Sequence, residues 1–290
     1  MEMVLKQEHK KASYWSSVWR RFKSNKMALA GLIFIIIITV AAIFTPWIAP
    51  YGYDETNYAH TFEKPSRQFI WGTDDLGRDI FSRNLYAMRN ALLIGFGSQA
   101  VVVIVGVIIG AIAGFRGGTV DTILMRIVDI MYAFPTFLFN VILVTALGRG
   151  IHIILLAIGI TGWAGTARLV RGMAMSLRNA DFVEAARALG AKEFYIIRKY
   201  ILPNMLGPII VSIAFGIPNA IWMEAGLALV GMGVRPPMPS WGNMISAGTG
   251  YIMAFPHMVL FPALLFALTL LAFTYVGDGL RDAMSPRGEV

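Results

Sequence analysis

The sequence predicts an all-α integral membrane protein, on three observations. Of 290 residues, 57% are hydrophobic and only 14% are charged, whereas soluble domains carry about 25% charged residues. The apolar residues fall in blocks near the roughly 20 residues that a helix needs to cross a bilayer. The net charge of +8 is concentrated in two stretches beside such blocks. A disordered chain, a coiled coil and a conventional soluble enzyme are excluded on these grounds.

Six spans are expected, at 28–46, 91–115, 119–147, 151–175, 207–230 and 257–279. The first contains the run Leu32-Ile33-Phe34-Ile35-Ile36-Ile37-Ile38. A basic leader before an apolar core is also the form of a signal peptide. Pro46-Trp47-Ile48-Ala49-Pro50 makes a poor cleavage site, so an uncleaved anchor is expected. In the preceding tail, 1–27, Tyr14, Trp15, Val18, Trp19 and Phe22 share one helical face beside Arg20, Arg21 and Lys23. Aromatics backed by cations suit a helix lying in the headgroup layer.

Residues 1–27 carry net charge +5 and residues 168–199 carry +4. Cytoplasmic loops are enriched in Lys and Arg, so both stretches are expected on the cytoplasmic side, four spans apart. Six spans return the C-terminal tail to that side. The loops 47–90 and 231–256 are then extracytoplasmic. Arg78, Arg83 and Arg89 do not contradict this, because long loops translocate largely regardless of charge. Pro236, Pro237 and Pro239 forbid a regular helix where they lie. The charge distribution does not read as a nucleic-acid footprint.

Gly106, Gly110 and Gly114 recur every fourth residue in the second span, a ridge that lets two helices approach closely. Pro135, Pro208 and Pro218 are expected to kink or open their helices, foremost at Phe134-Pro135. Arg126 and Asp129 lie one turn apart in the third span, and Glu224 lies near the end of the fifth. Ionisable groups at such depth face protein or a wet cavity. Arg126 and Asp129 either pair with each other or serve a path or subunit interface. Glu224 either hydrogen-bonds within the bundle or meets a cationic group.

The chemistry the chain lacks is equally informative. It has no cysteine, which excludes thiolate nucleophiles and Cys-based metal sites. His9, His60, His152 and His257 are scattered, and Gly-Lys never occurs, so there is no phosphate-binding loop of the G-x-x-x-x-G-K type. Nucleotide chemistry must come from a partner.

The most informative segment is the loop 176–206. Asp181 and Glu184 have the spacing of a capping box. Ala185, Ala186, Arg187, Ala188 and Leu189 favour helix, and Gly190 can end it. A second helical stretch, Glu193 to Tyr200, is expected to close at Ile201-Leu202-Pro203. A compact helix held between two spans suits docking into a cleft on another protein.

Glu184-Ala185-Ala186, Gly190 six positions after Glu184, and Ile201-Leu202-Pro203 resemble the signature of permease subunits of ABC-type importers. Further segments resemble the "C"-type permeases of dipeptide and oligopeptide importers. These are Trp71 to Arg83, Arg126 to Ile130 with Phe134-Pro135, Pro239-Ser240-Trp241-Gly242, and Gly277 to Asp282. The resemblance runs from about Trp19 to Arg287. It implies a six-helix permease fold in a prokaryotic cytoplasmic membrane, with Asp181, Glu184, Ala185, Ala186, Arg187, Leu189, Gly190, Ile201, Leu202 and Pro203 in the ATPase-coupling loop. It further implies a second homologous permease subunit, two ATPase subunits that bind ATP and Mg, and an extracytoplasmic substrate-binding protein. This chain would bind no cofactor and catalyse nothing. Arg126, Asp129, Phe134, Pro135 and Glu224 are the candidates for the path or subunit interface. Peptides are the expected substrate, with nickel complexes, glutathione or oligosaccharides as alternatives. An ion-coupled secondary transporter is the competing class; it should show paired inverted halves, and the sequence displays no such symmetry.

Overall fold

The computed structural model describes residues 14–285. Residues 1–13 of the basic tail, and the last residues including Arg287, lie outside that range. The described residues are helical apart from turns, loops and one isolated bridge, Thr73 with Asp79. Five helices are long and apolar enough to cross a membrane, or six crossings if one sharply bent pair counts as a span.

The first helices are α1 (Tyr14–Ser24), α2 (Lys26–Ile43) and the single turn α3 (Thr45–Ile48). Asn25 separates α1 from α2, its side chain accepting from the Met27 and Ala28 amides at 3.1 Å each. The aromatic face of α1 divides in two. Val18 and Phe22 are buried, whereas Tyr14, Trp15 and Trp19 are exposed. Phe22 packs beside Ala28 and Gly279, so α1 leans on the bundle with part of the face expected to meet the headgroups.

The second crossing, α4 (Ile80–Arg116), starts at Ile80 rather than near residue 91. Its first turns are polar, which hid them in the sequence, yet those polar groups have partners. Asp79 caps the helix by accepting from the Ser82 amide at 2.7 Å. Arg83 donates to the Tyr53 carbonyl at 2.6 Å, Asn90 to the Pro239 carbonyl at 2.8 Å, and the Trp241 indole to Asn84 Oδ1 at 3.2 Å. A buried polar group that is hydrogen-bonded costs little.

The expected third span is not one helix. It divides into α5 (Gly118–Ala133) and α6 (Thr136–Leu147), bent by 85° at Phe134-Pro135. The residue before a proline is pushed out of the helical region, and Phe134 is extended at φ −98°, ψ 133°. A kink expected from sequence is thus a complete break.

The chain continues with α7 (Ile151–Leu177), α8 (Asp181–Ala188) and α9 (Glu193–Ile196). A wide π turn, Ile197–Ile201, then joins α9 to α10 (Leu202–Leu229). Helix therefore runs from Glu193 to Leu229, and Ile201-Leu202-Pro203 does not close it. Pro203 occupies the first turn of α10, where a missing N–H is tolerated. Pro208 and Pro218 lie inside α10 without interrupting it. After the prolines of 236–239, α11 (Trp241–Thr249) is capped by Ser240, and α12 (His257–Met284) completes the bundle.

The bundle has an α8 end and an α11 end. The start of α10 at Gly207 lies against Met284 and the Tyr14 hydroxyl, so both described termini sit at the α8 end. α4 and α7 pack along the glycine ridge. A methyl on Gly106 would stand 2.8 Å from Thr166 Cβ, one on Gly110 2.8 Å from Val170 Cβ, and one on Gly114 2.8 Å from Ala174 Cβ.

Candidate functional site: a helical shelf and a polar cavity

At the α8 end, the loop expected to dock a partner is a helical shelf packed on the bundle. Val183 and Ala186 are buried in a cluster with Phe115 of α4, Val170 and Ala174 of α7, and Ile196, Ile201 and Met205. Burying one valine side chain contributes about 1.5–3 kcal/mol. α8 closes with two bonds, Gly190 N–H to the Arg187 carbonyl at 2.9 Å and Ala191 N–H to the Ala186 carbonyl at 3.0 Å. Gly190 has φ +77°, the left-handed conformation this helix ending requires. Arg116 Nε donates to Glu193 Oε1 at 2.7 Å, linking α4 to α9. The Arg187 guanidinium lies 5.1 Å from the Phe115 ring centre.

The capping box does not form. Asp181 is the first residue of α8, the cap position is Ala180, and no side chain accepts there. With Asp181 already helical, its carboxylate sits one position too late to cap. Its negative charge still favours the helix N-terminus. Of the remaining predicted coupling residues, Glu184, Ala185, Arg187, Leu189, Gly190 and Pro203 are exposed, Ile201 is buried and Leu202 is half-buried. Leu189 is 88% exposed and Phe194 73%, so the shelf presents apolar side chains that its own fold leaves uncovered.

At mid-bundle, of the two readings of Arg126 and Asp129, the pairing of one with the other does not occur. Asp129 instead accepts from Arg168 Nη2 of α7 at 2.7 Å. Arg168 also lies 3.9 Å from the Tyr132 ring centre, which holds its charge over α5 and towards Asp129. Arg126 forms no ion pair among the described residues and is exposed. Deeper in the same contact, Arg171 grips Asp121 through two nitrogens. Phe134 and Pro135 are exposed at the break. Glu224 is 2% exposed, and its Oε1 has no hydrogen-bond partner among the described residues.

Sequence reasoning missed a cavity of about 230 Å³ bordered by α4, α6, α7 and α10. Gln99, Asn140, Thr161 and Asn219 line it, together with glycines of α7 and α10. The available signal was uncharged polar residues interrupting apolar spans, which are less conspicuous there than ionisable ones.

Several long apolar helices, a sharply bent helix pair beside a polar cavity, and an exposed shelf at one end define the membrane subunit of a transport system. Residues 106–289 match the family of binding-protein-dependent transport system inner membrane components. Residues 13–65 match the N-terminal TM domain of oligopeptide transport permease C. The chain belongs to this family of transport permeases and is a multi-pass membrane protein. It is 42% identical over 278 residues to the oligopeptide transport system permease protein OppC of Bacillus subtilis, covering 96% of this chain and 91% of that protein. It is 39% identical over 277 residues to the dipeptide transport system permease protein DppC of the same organism, covering 95% and 86%. The glutathione transport system permease protein GsiD of Escherichia coli is 39% identical over 274 residues, covering 94% and 90%. Among solved structures, a chain of the MetNI methionine ABC transporter in inward-facing conformations superposes with a TM-score of 0.57 at 18% identity. It covers 76% of this chain and 99% of that one, a likeness of fold.

Proposed function

We propose that this chain is a membrane-spanning subunit of an ATP-driven importer of dipeptides or oligopeptides. It forms half of the translocation path beside a second, related permease subunit and converts the motion of two ATPase subunits into alternating access. The α8 shelf seats in an ATPase subunit, which binds the ATP and Mg²⁺. A substrate-binding protein delivers substrate at the α11 end. The α8 end and both termini face the cytoplasm of a prokaryote, and α1 lies along the headgroup layer. Arg126, Asp129, Phe134 and Pro135 belong to the path or the subunit interface.

One observation carries the coupling role. Val183 and Ala186 place α8 in one buried cluster with residues of α4, α7 and α10, while Glu184, Ala185 and Leu189 remain exposed. A push on its outer face therefore reaches α4, α7 and α10 together. The kinship with OppC and DppC supports peptides as the substrate.

The test uses Glu184→Lys and Gly190→Asp in the complete transporter, with its ATPase subunits co-purified. Both variants are expected to insert and assemble but to hydrolyse ATP without uptake. Normal transport by both would falsify the coupling assignment.

A further inference from the structure

We propose that the cavity bordered by α4, α6, α7 and α10 is a subsite for a neutral main-chain amide of the transported peptide, held by the carboxamides of Gln99 and Asn219. The inference rests on the peptide-import reading above and names the part of the substrate that this chain recognises.

The cavity is polar at the depth of apolar helices, yet no charged side chain lines it. A peptide terminus or a charged side chain would find no counter-ion there, and burying an unpaired charge is prohibitive. The complementary ligand is polar and uncharged. Gln99 is 8% exposed, lines the cavity, and makes no hydrogen bond to the described residues. A carboxamide has two donor hydrogens and an acceptor oxygen, and this one is open to the cavity and available to a ligand. Asn219 on α10 likewise makes no side-chain hydrogen bond among the described residues. By contrast Asn140 is satisfied within the wall, donating to the Thr136 carbonyl at 3.0 Å and accepting from Thr161 Oγ1 at 3.2 Å.

Two features show that the space is built. Gly216 stands where a Cβ would meet the Gln99 carboxamide, so glycine there leaves room for the amide in this position. The break at Phe134-Pro135 also ends beside the cavity, with Thr136 on its wall. Non-helical backbone at membrane depth is tolerated where it is buried in protein or lines a wet cavity. A peptide bond offers one N–H and one C=O, the complement of a carboxamide. Recognition through those groups alone is indifferent to side-chain identity, as a carrier of varied peptides requires.

The experiment compares uptake of trialanine with its analogue bearing one ester in place of an amide. It uses the complete transporter in proteoliposomes with saturating binding protein. The ester removes one N–H and leaves charge and length unchanged. Wild type is expected to carry the amide about tenfold faster, the value of one neutral hydrogen bond. Gln99→Met is expected to bring that ratio towards one. Asn219→Leu, at an exposed position, gives the same readout should Gln99→Met fail to assemble. The same binding protein serves all variants, so a changed ratio belongs to this chain. Wild-type uptake of trialanine, with an unchanged ratio in assembled variants, overturns the subsite alone. Failure of wild type to import trialanine overturns the peptide reading and the subsite with it.

Discussion

Arg171 of α7 and Asp121 of α5 meet through two parallel contacts, Nε to Oδ1 at 2.5 Å and Nη2 to Oδ2 at 2.6 Å. The paired geometry adds specificity beyond simple charge attraction. It ties α5 to the helix that packs against the glycine ridge of α4. The second ion pair of the same helices, Arg168 with Asp129, is half-exposed on both sides. One contact is a fixed anchor and the other is open to its surroundings.

Removing the anchor should loosen α5. Asp121→Ala leaves Arg171 without its acceptor, a loss of about 3–5 kcal/mol for a fully buried pair. A third of the Arg171 side chain is exposed, so solvent screening reduces this to about 1–3 kcal/mol. A lower thermal midpoint of the solubilised complex is the expected outcome, with Arg171→Lys intermediate because it loses the two-point grip.

Asp129 and Arg168 should respond differently. An exposed pair contributes about 0–1 kcal/mol, so Asp129→Ala should leave the thermal midpoint near wild type. Asp129→Lys places like charges face to face and should reduce assembly with the second permease subunit. Exchange of both, Asp129→Lys with Arg168→Glu, should restore it. Co-purification yields measure each step.

The ridge offers a steric test. Gly110→Leu must displace α7, because even a Cβ meets the Ala167 carbonyl and Val170. Overpacking of this kind costs about 1–3 kcal/mol. Gly172→Ala, with open space around the added carbon, should be neutral. Comparing the two by expression level and thermal midpoint separates packing from helix propensity.

Leu189 separates folding from coupling. It is 88% exposed, so Leu189→Glu should leave insertion and thermal midpoint unchanged while lowering ATP-driven uptake at least tenfold. Unimpaired uptake would mean that the outer face of the shelf docks nothing.

Sidedness follows from labelling in the naturally cysteine-free chain. Tyr58→Cys should react with an impermeant maleimide from outside intact cells, and Leu189→Cys only after permeabilisation. The opposite pattern would invert the bundle in the membrane.

The amino-acid sequence by itself determined that the chain is helical and membrane-embedded, where its apolar blocks lie, and that a short glycine-terminated helix follows the fourth. These features are local: hydrophobicity over a window, a left-handed glycine, a proline that cannot continue a helix. The α8 signature and the Phe134-Pro135 discontinuity were legible for that reason. What only the tertiary structure decided concerns partners distant in sequence. Asp129 meets Arg168 rather than Arg126 because α7 brings a cation held over Tyr132. Asn84 and Asn90 belong to a buried helix because Trp241 and Pro239 satisfy them. Gln99 and Asn219 look unremarkable one at a time in apolar spans. They become a site because a bent crossing and a glycine on α10 open a common space between them. Hydrogen bonding and close packing depend on which surfaces face each other, and the order of residues alone does not state that.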